Sequence, residues 1–147
     1  MDKAATVIAL LTTVGLAAAL PARADEPPRF RQGLWEFDRT APGGQKMHTT
    51  QCTNPSDDMK RQNEMIEKRG GCKLSPMQHS GNTYTFTADC NMSSPQQGGL
   101  VSFRSTSVMT VESDSAYKID VTTSAGQPGP AGKEQLTARR IGDCTAK

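Results

Sequence analysis

CKLSPMQHSGNTYTFTADC, running from Cys72 to Cys90, is the stretch that decides the fold. Ser80-Gly81-Asn82 at its centre is a turn signal, and the flanking residues alternate in polarity as strands do. With Gly81 as midpoint, Cys72 faces Cys90, Leu74 faces Ala88, Pro76 faces Phe86 and Gln78 faces Tyr84. All eight then lie on one face, as a hairpin with one buried side requires.

The same pattern extends in both directions. A second hairpin centred on Asp114 sets Val111 opposite Tyr117, Met109 opposite Ile119 and Ser107 opposite Val121. Beyond an open loop at Gln127-Pro128-Gly129-Pro130-Ala131-Gly132, Lys133 to Cys144 supplies a final strand. Upstream, Phe30 to Thr40 reads as a first strand, with Trp35, Phe37 and Arg39 on one face and Leu34, Glu36 and Asp38 on the other. A turn at Ala41-Pro42-Gly43-Gly44 leads into a more polar strand, Lys46 to Cys52.

The intervening stretch is helical. Thr53 or Asn54 can cap it, Pro55 suits its first position, and Asp57 and Asp58 sit in its first turn. Lys68 and Arg69 occupy the last turn before Gly70-Gly71 ends it, and Met59, Met65 and Ile66 make a narrow apolar stripe for packing on a sheet. The expected fold is mainly β (α+β): a curved antiparallel sheet of six or seven strands, an open barrel at its limit. One helix packs on it and two disulfides staple it.

Four cysteines allow three pairings. The hairpin register brings Cys72 within disulfide reach of Cys90 and leaves Cys52 to meet Cys144; a Cys52–Cys72 bridge around the helix is the alternative. There is no Cys-x-x-Cys, and spacings of 20, 18 and 54 residues do not resemble zinc-ligand pairs.

Residues 1–24 read as an export signal. Lys3 gives a short positive start, Ala4 to Leu20 is a near-continuous apolar run, and Ala22 and Ala24 supply the small-x-small pattern of a cleavage site. Cleavage after Ala24 leaves one disulfide-stabilised secreted domain over 25–147, expected in a bacterial periplasm; retention as an anchor is the alternative. No cysteine closely follows the apolar run, which argues against a lipid-anchored lipoprotein. No later segment is apolar for long enough to span a bilayer.

Leu, Ile, Val and Phe supply only 15 of the 123 residues after Ala24, below the roughly 20% under which disorder is suspected. Near-balanced charge, alternating strands and cysteines in an oxidising compartment argue instead for a thin core that depends on disulfides. The scattered basic residues give no field for nucleic acid.

The ordered set of Gly33-Leu34-Trp35-Glu36, Cys52 before a polar helix, Cys72, a turn, Cys90, a Thr/Ser-rich hairpin and Arg139-Arg140-Ile141-Gly142-Asp143-Cys144 resembles a family of bacterial exported proteins, domain of unknown function 3617. The resemblance spans essentially the whole chain after the signal. It implies the fold and the compartment and assigns no activity.

No catalytic constellation can be built: the two histidines have no nucleophile partner, and Asp57, Asp58, Glu64 and Glu67 read as solvated helix carboxylates. Met47 with His48, and Met77 with His79, are weak candidates for soft-metal ligation; exposed histidines on strands and loops are the simpler reading. Trp35, Phe37, Tyr84, Phe86, Phe103 and Tyr117 on inward faces could line a ligand groove, or could themselves be the core. The expected function is a non-enzymatic periplasmic protein, without cofactor, binding an envelope partner, a lipid or a small apolar ligand. A small envelope hydrolase and a copper-handling protein are the alternatives.

Overall fold

The computed structural model describes residues 26–94, 98–125 and 132–145. The export signal read over 1–24 lies outside the described residues, as does the loop read at 127–132 except Gly132. Along the chain come β1 (Gly33–Thr40), β2 (Lys46–Thr53), α1 (Pro55–Arg69), β3 (Cys72–Leu74), β4 (Gln78–Ser80), β5 (Thr83–Ser94), β6 (Gly99–Ser113), β7 (Ala116–Ala125) and β8 (Gly132–Gly142).

All strands pair antiparallel in one sheet, ordered β2-β1-β8-β7-β6-β5-β3, with β4 also on β5. Eight strand segments therefore fill seven positions, and the sheet stays open between β2 and the β3/β4 edge. The β1–β8 pairing is the one that joins the two ends of the chain. Among the described residues no helix is long and apolar enough to cross a membrane.

The β6–β7 hairpin has the expected register, with Val111 opposite Tyr117 and Met109 opposite Ile119. The Cys72–Cys90 hairpin follows its expected register only at its base, where Cys72 pairs with Cys90 and Leu74 with Ala88. Toward the tip the ladder slips by one residue: Gln78 pairs with Thr85 and His79 with Tyr84, so neither Pro76 nor Gln78 meets its expected partner. Ser75 and Pro76 cause the slip. The Ser75 hydroxyl accepts the Thr87 N–H at 2.8 Å, as a strand carbonyl would, while Ser75 N donates to Thr87 O. Pro76 has no N–H to continue the ladder. The strand splits into β3 and β4, and Met77 turns toward the sheet face that carries the helix.

Asn54 caps α1, its side chain accepting from Ser56 N at 3.0 Å, and Pro55 is fully buried at the first turn. The face turned to the sheet carries Met59, Asn63 and Ile66. Met65, expected in that stripe, is 52% exposed, because one residue on a helix turns the side chain by about 100°.

The core is small and lies toward one end of the covered face: Phe30, Trp35, Met109, Tyr117 and Ala138. Phe30, expected to begin the first strand, precedes it; its ring sits 4.6 Å from Tyr117 and 5.9 Å from Trp35, centroid to centroid. Phe30 N donates to Ser56 Oγ at 2.8 Å, Ser56 Oγ donates to Pro28 O at 3.1 Å, and the indole N–H of Trp35 donates to Arg31 O at 2.9 Å. The amino-terminal segment is thereby bound to both helix and sheet.

Bridges join Cys52 to Cys144, with Cα atoms 5.5 Å apart, and Cys72 to Cys90, 4.0 Å apart. The first closes over the corner where the two sequence motifs meet. Leu34 pairs with both Cys52 and Gly142, Glu36 bonds Arg139 across the uncovered face, and Arg140 donates from Nε to Gln32 O at 2.9 Å. Arg140 lies over Gly33, which must be glycine there: a Cβ would lie 2.5 Å from Gly142 O and 2.8 Å from Arg140 Cζ. Gly33→Ala is therefore expected to cost about 1–3 kcal/mol in urea unfolding. Adding Arg140→Ala should not recover the loss, because the backbone oxygen remains; full recovery would show that the arginine alone excludes the methyl group.

Candidate functional site: a cleft between the helix and the sheet

Because α1 contributes few large side chains, it does not fill the sheet face beneath it. Toward β3 and β5 lies a cavity of about 260 Å³, roofed by Met59 and Ile66 and floored by Leu74, Phe86, Ile119 and Leu136. Toward β1 and β2 lies a groove of about 550 Å³, lined by Phe37, Arg39, Thr49, Gln51 and the helix residues Asp58 and Gln62. The two share Met59 and Gln62 above and Ile119, Glu134 and Leu136 below, so they adjoin and together make up the cleft beneath α1. A further depression of about 530 Å³, on the other flank of α1, is lined by Pro27, Pro28, Phe30, Met59 and Met77 and rimmed by the exposed Lys60, Glu64 and Glu67.

The charged groups of the cleft are mutually engaged. Arg39 and Glu134 form a two-point pair, Nε to Oε1 at 2.6 Å and Nη2 to Oε2 at 2.7 Å. Donating to the Glu134 carboxylate holds the Arg39 guanidinium above its ordinary pKa. Asp58 accepts from Thr53 Oγ1 and pairs with Arg61.

The aromatic residues singled out in the sequence separate. Trp35 is fully buried in the core, and Tyr117 belongs to the core while forming part of the groove floor. Phe37 lines the groove and Phe86 the cavity. Tyr84 packs at the edge of the core, its ring stacked 5.2 Å from that of His79. Phe103 is half-buried opposite Cys90 and lines neither the cavity nor the groove. Sequence reasoning passed over Arg39, Glu134 and Leu136 as site residues and offered Met77 only as a soft-metal ligand. The first three alternate along β1 and β8 on the covered face, a signal readable only once those strands are paired.

The four soft-metal candidates do not converge. Met47 lies in the groove, whereas its neighbour His48 points to the other face, its Nδ1 2.8 Å from Asp38 Oδ1. Met77 lines the cavity at the opposite end of the sheet, and His79 lies on β4 against Tyr84. Among the described residues no three of His, Cys, Asp and Glu group as metal ligands would.

Residues 30–144 match the family model described as a protein of unknown function, DUF3617. The chain belongs to the DUF3617 family. No curated protein and no solved structure matches it. In this DUF3617 protein, then, the geometry of the cleft carries the functional argument.

Burial raises the pKa of the Tyr117 phenol well above the usual tyrosine value, and the Asp58 carboxylate adds to the shift. Below about pH 10 the phenol is protonated in both the folded and unfolded chain. Above that, the unfolded chain ionises first, so stability falls as pH rises toward the raised folded value, by up to about 1.4 kcal/mol per unit. Tyr117→Phe should flatten this alkaline fall in denaturation midpoints; an unchanged slope would mean that other groups cause it.

Proposed function

We propose that this DUF3617 protein is a non-enzymatic periplasmic binding protein that takes a lipid-like or other apolar small ligand into the cleft beneath α1. One observation carries the reading: the floor and roof are aliphatic, aromatic and thioether side chains, yet the space between them is not closed by packing. Interiors normally pack to crystal density, and ligand sites are the usual exception. Export, read from residues 1–24, supplies the compartment.

The cleft's chemistry favours binding over hydrolysis. Ser105 and Ser107 reach the cavity, but neither histidine lines cavity or groove, and Arg39 and Glu134 neutralise each other. Among the described residues no hydrogen bond joins Ser105 or Ser107 to a general base.

Titration with N-phenylnaphthylamine, an uncharged dye that brightens in apolar surroundings, tests the reading. The chain beginning at Asp25 should bind it saturably, one dye per protein. Ile66→Asp should weaken binding by at least about ten-fold, or 1.4 kcal/mol. Leu100→Asp, at a position 72% exposed and outside the cleft, should leave binding unchanged. Equal binding by Ile66→Asp and the unaltered chain would place the dye elsewhere and defeat the proposal.

A further inference from the structure

The two ends of the cleft differ in chemistry, and this difference narrows the class of ligand. Resting on the apolar-ligand reading above, we infer that the occupant is a single-chain amphiphile with an uncharged polar head. Its alkyl chain lies beneath α1 across the strands, and its head sits at the β1–β2 end.

Length supports a chain over a compact molecule. From β3 to β2 the sheet order takes six steps, and at 4.7–4.9 Å each these span about 29 Å. A bilayer's hydrocarbon core, two chains thick, is about 30 Å, so one chain needs roughly half of that. The cleft accommodates a chain and leaves room for a head.

Polarity sets the direction. The cavity end offers Leu74, Met77, Phe86 and Ala88, with the hydroxyls of Ser105 and Ser107. The groove end offers Thr49, Gln51 and Gln62, which donate and accept hydrogen bonds without charge.

Charge selects the head. Arg39 would attract a carboxylate or phosphate most strongly if free, but Glu134 already takes the Nε–Nη2 edge of its fork and neutralises its charge. An anionic head would have either to displace Glu134 or to bind Arg39 through Nη1 beside the Glu134 carboxylate, and in both cases two anions share one cation. An alcohol or glycerol head meets Thr49, Gln51 and Gln62 with no such penalty.

Competition against N-phenylnaphthylamine by monooleoylglycerol and by oleate, which share an acyl chain and differ in the head, tests this at mildly alkaline pH below micelle formation. The unaltered chain should bind monooleoylglycerol at least about ten-fold more tightly than oleate. Glu134→Gln frees Arg39 and should improve oleate about ten-fold while changing monooleoylglycerol by less than about two-fold. Arg39→Gln, which leaves Glu134 bare, should weaken oleate further. Circular dichroism verifies that each variant is folded; should neither fold, the ratio for the unaltered chain decides. A preference for oleate, or an oleate ratio unmoved in folded Glu134→Gln, overturns the uncharged head. Dye binding that neither lipid displaces overturns the amphiphile and leaves the apolar-ligand reading standing. Failure to bind the dye at all removes both.

Discussion

Scarcity of large apolar side chains is the constraint on which the rest of this structure depends. Burial of apolar area is the main favourable term in folding, and this chain has little to bury. It concentrates what it has at one end of one sheet face, where Phe30, Trp35 and Tyr117 meet around Met109 and Ala138. The helix above adds Pro55, Met59 and Ile66, turns Met65 to solvent and is otherwise polar. A core at one end and a polar helix across the remainder leave a cleft between them. The cleft follows from composition.

A core this small needs covalent support, and each of the two bridges removes chain entropy from the unfolded state. In the chain-entropy picture, the separation of 18 residues between Cys72 and Cys90 corresponds to roughly 3 kcal/mol, and the separation of 92 between Cys52 and Cys144 to between about 4 and 5. The longer bridge also stands beside the Gly33–Arg140 contact and the Glu36–Arg139 pair, all at the junction of β2, β1 and β8. That junction holds the carboxyl-terminal strand against the amino-terminal one, a pairing with no short turn to enforce it. The Gly-Leu-Trp-Glu and Arg-Arg-Ile-Gly-Asp-Cys stretches, far apart in the chain, are two halves of one structural fastening.

The chain reveals its local features and conceals its distant ones. The hairpin around Asp114 is legible because alternation and a short turn together determine register. The base of the Cys72–Cys90 hairpin is legible for the same reason, but its tip is not, since the Ser75 hydroxyl stands in for a carbonyl and Pro76 interrupts the ladder. Met65 is not placed by sequence, because it lies about 100° around the helix from Ile66 and the face turned to the sheet is too narrow to include both. Phe37 and Phe86 could be picked out as inward aromatics. The Arg39–Glu134 pair could not, because its members are 95 residues apart and meet only through the β1–β8 pairing.

The proposed binding requires that the space beneath α1, rather than another apolar surface, receive the ligand. Methionine methyl groups report on this directly. Met47 lines the groove, Met59 and Met77 line the cavity and also the depression beside Pro27 and Pro28, Met109 is sealed in the core, and Met65 and Met92 are about half exposed elsewhere. Carbon-13 methyl spectra of methionine-labelled protein, recorded as monooleoylglycerol is added, should show Met47, Met59 and Met77 shifting with one saturable affinity. Met109, Met65 and Met92 should stay in place. Shifts of Met59 and Met77 without Met47, shifts confined to Met65 and Met92, or shifts spread evenly over all six, would mean that the lipid lies outside the cleft and that the cleft is only a gap left by a thin core.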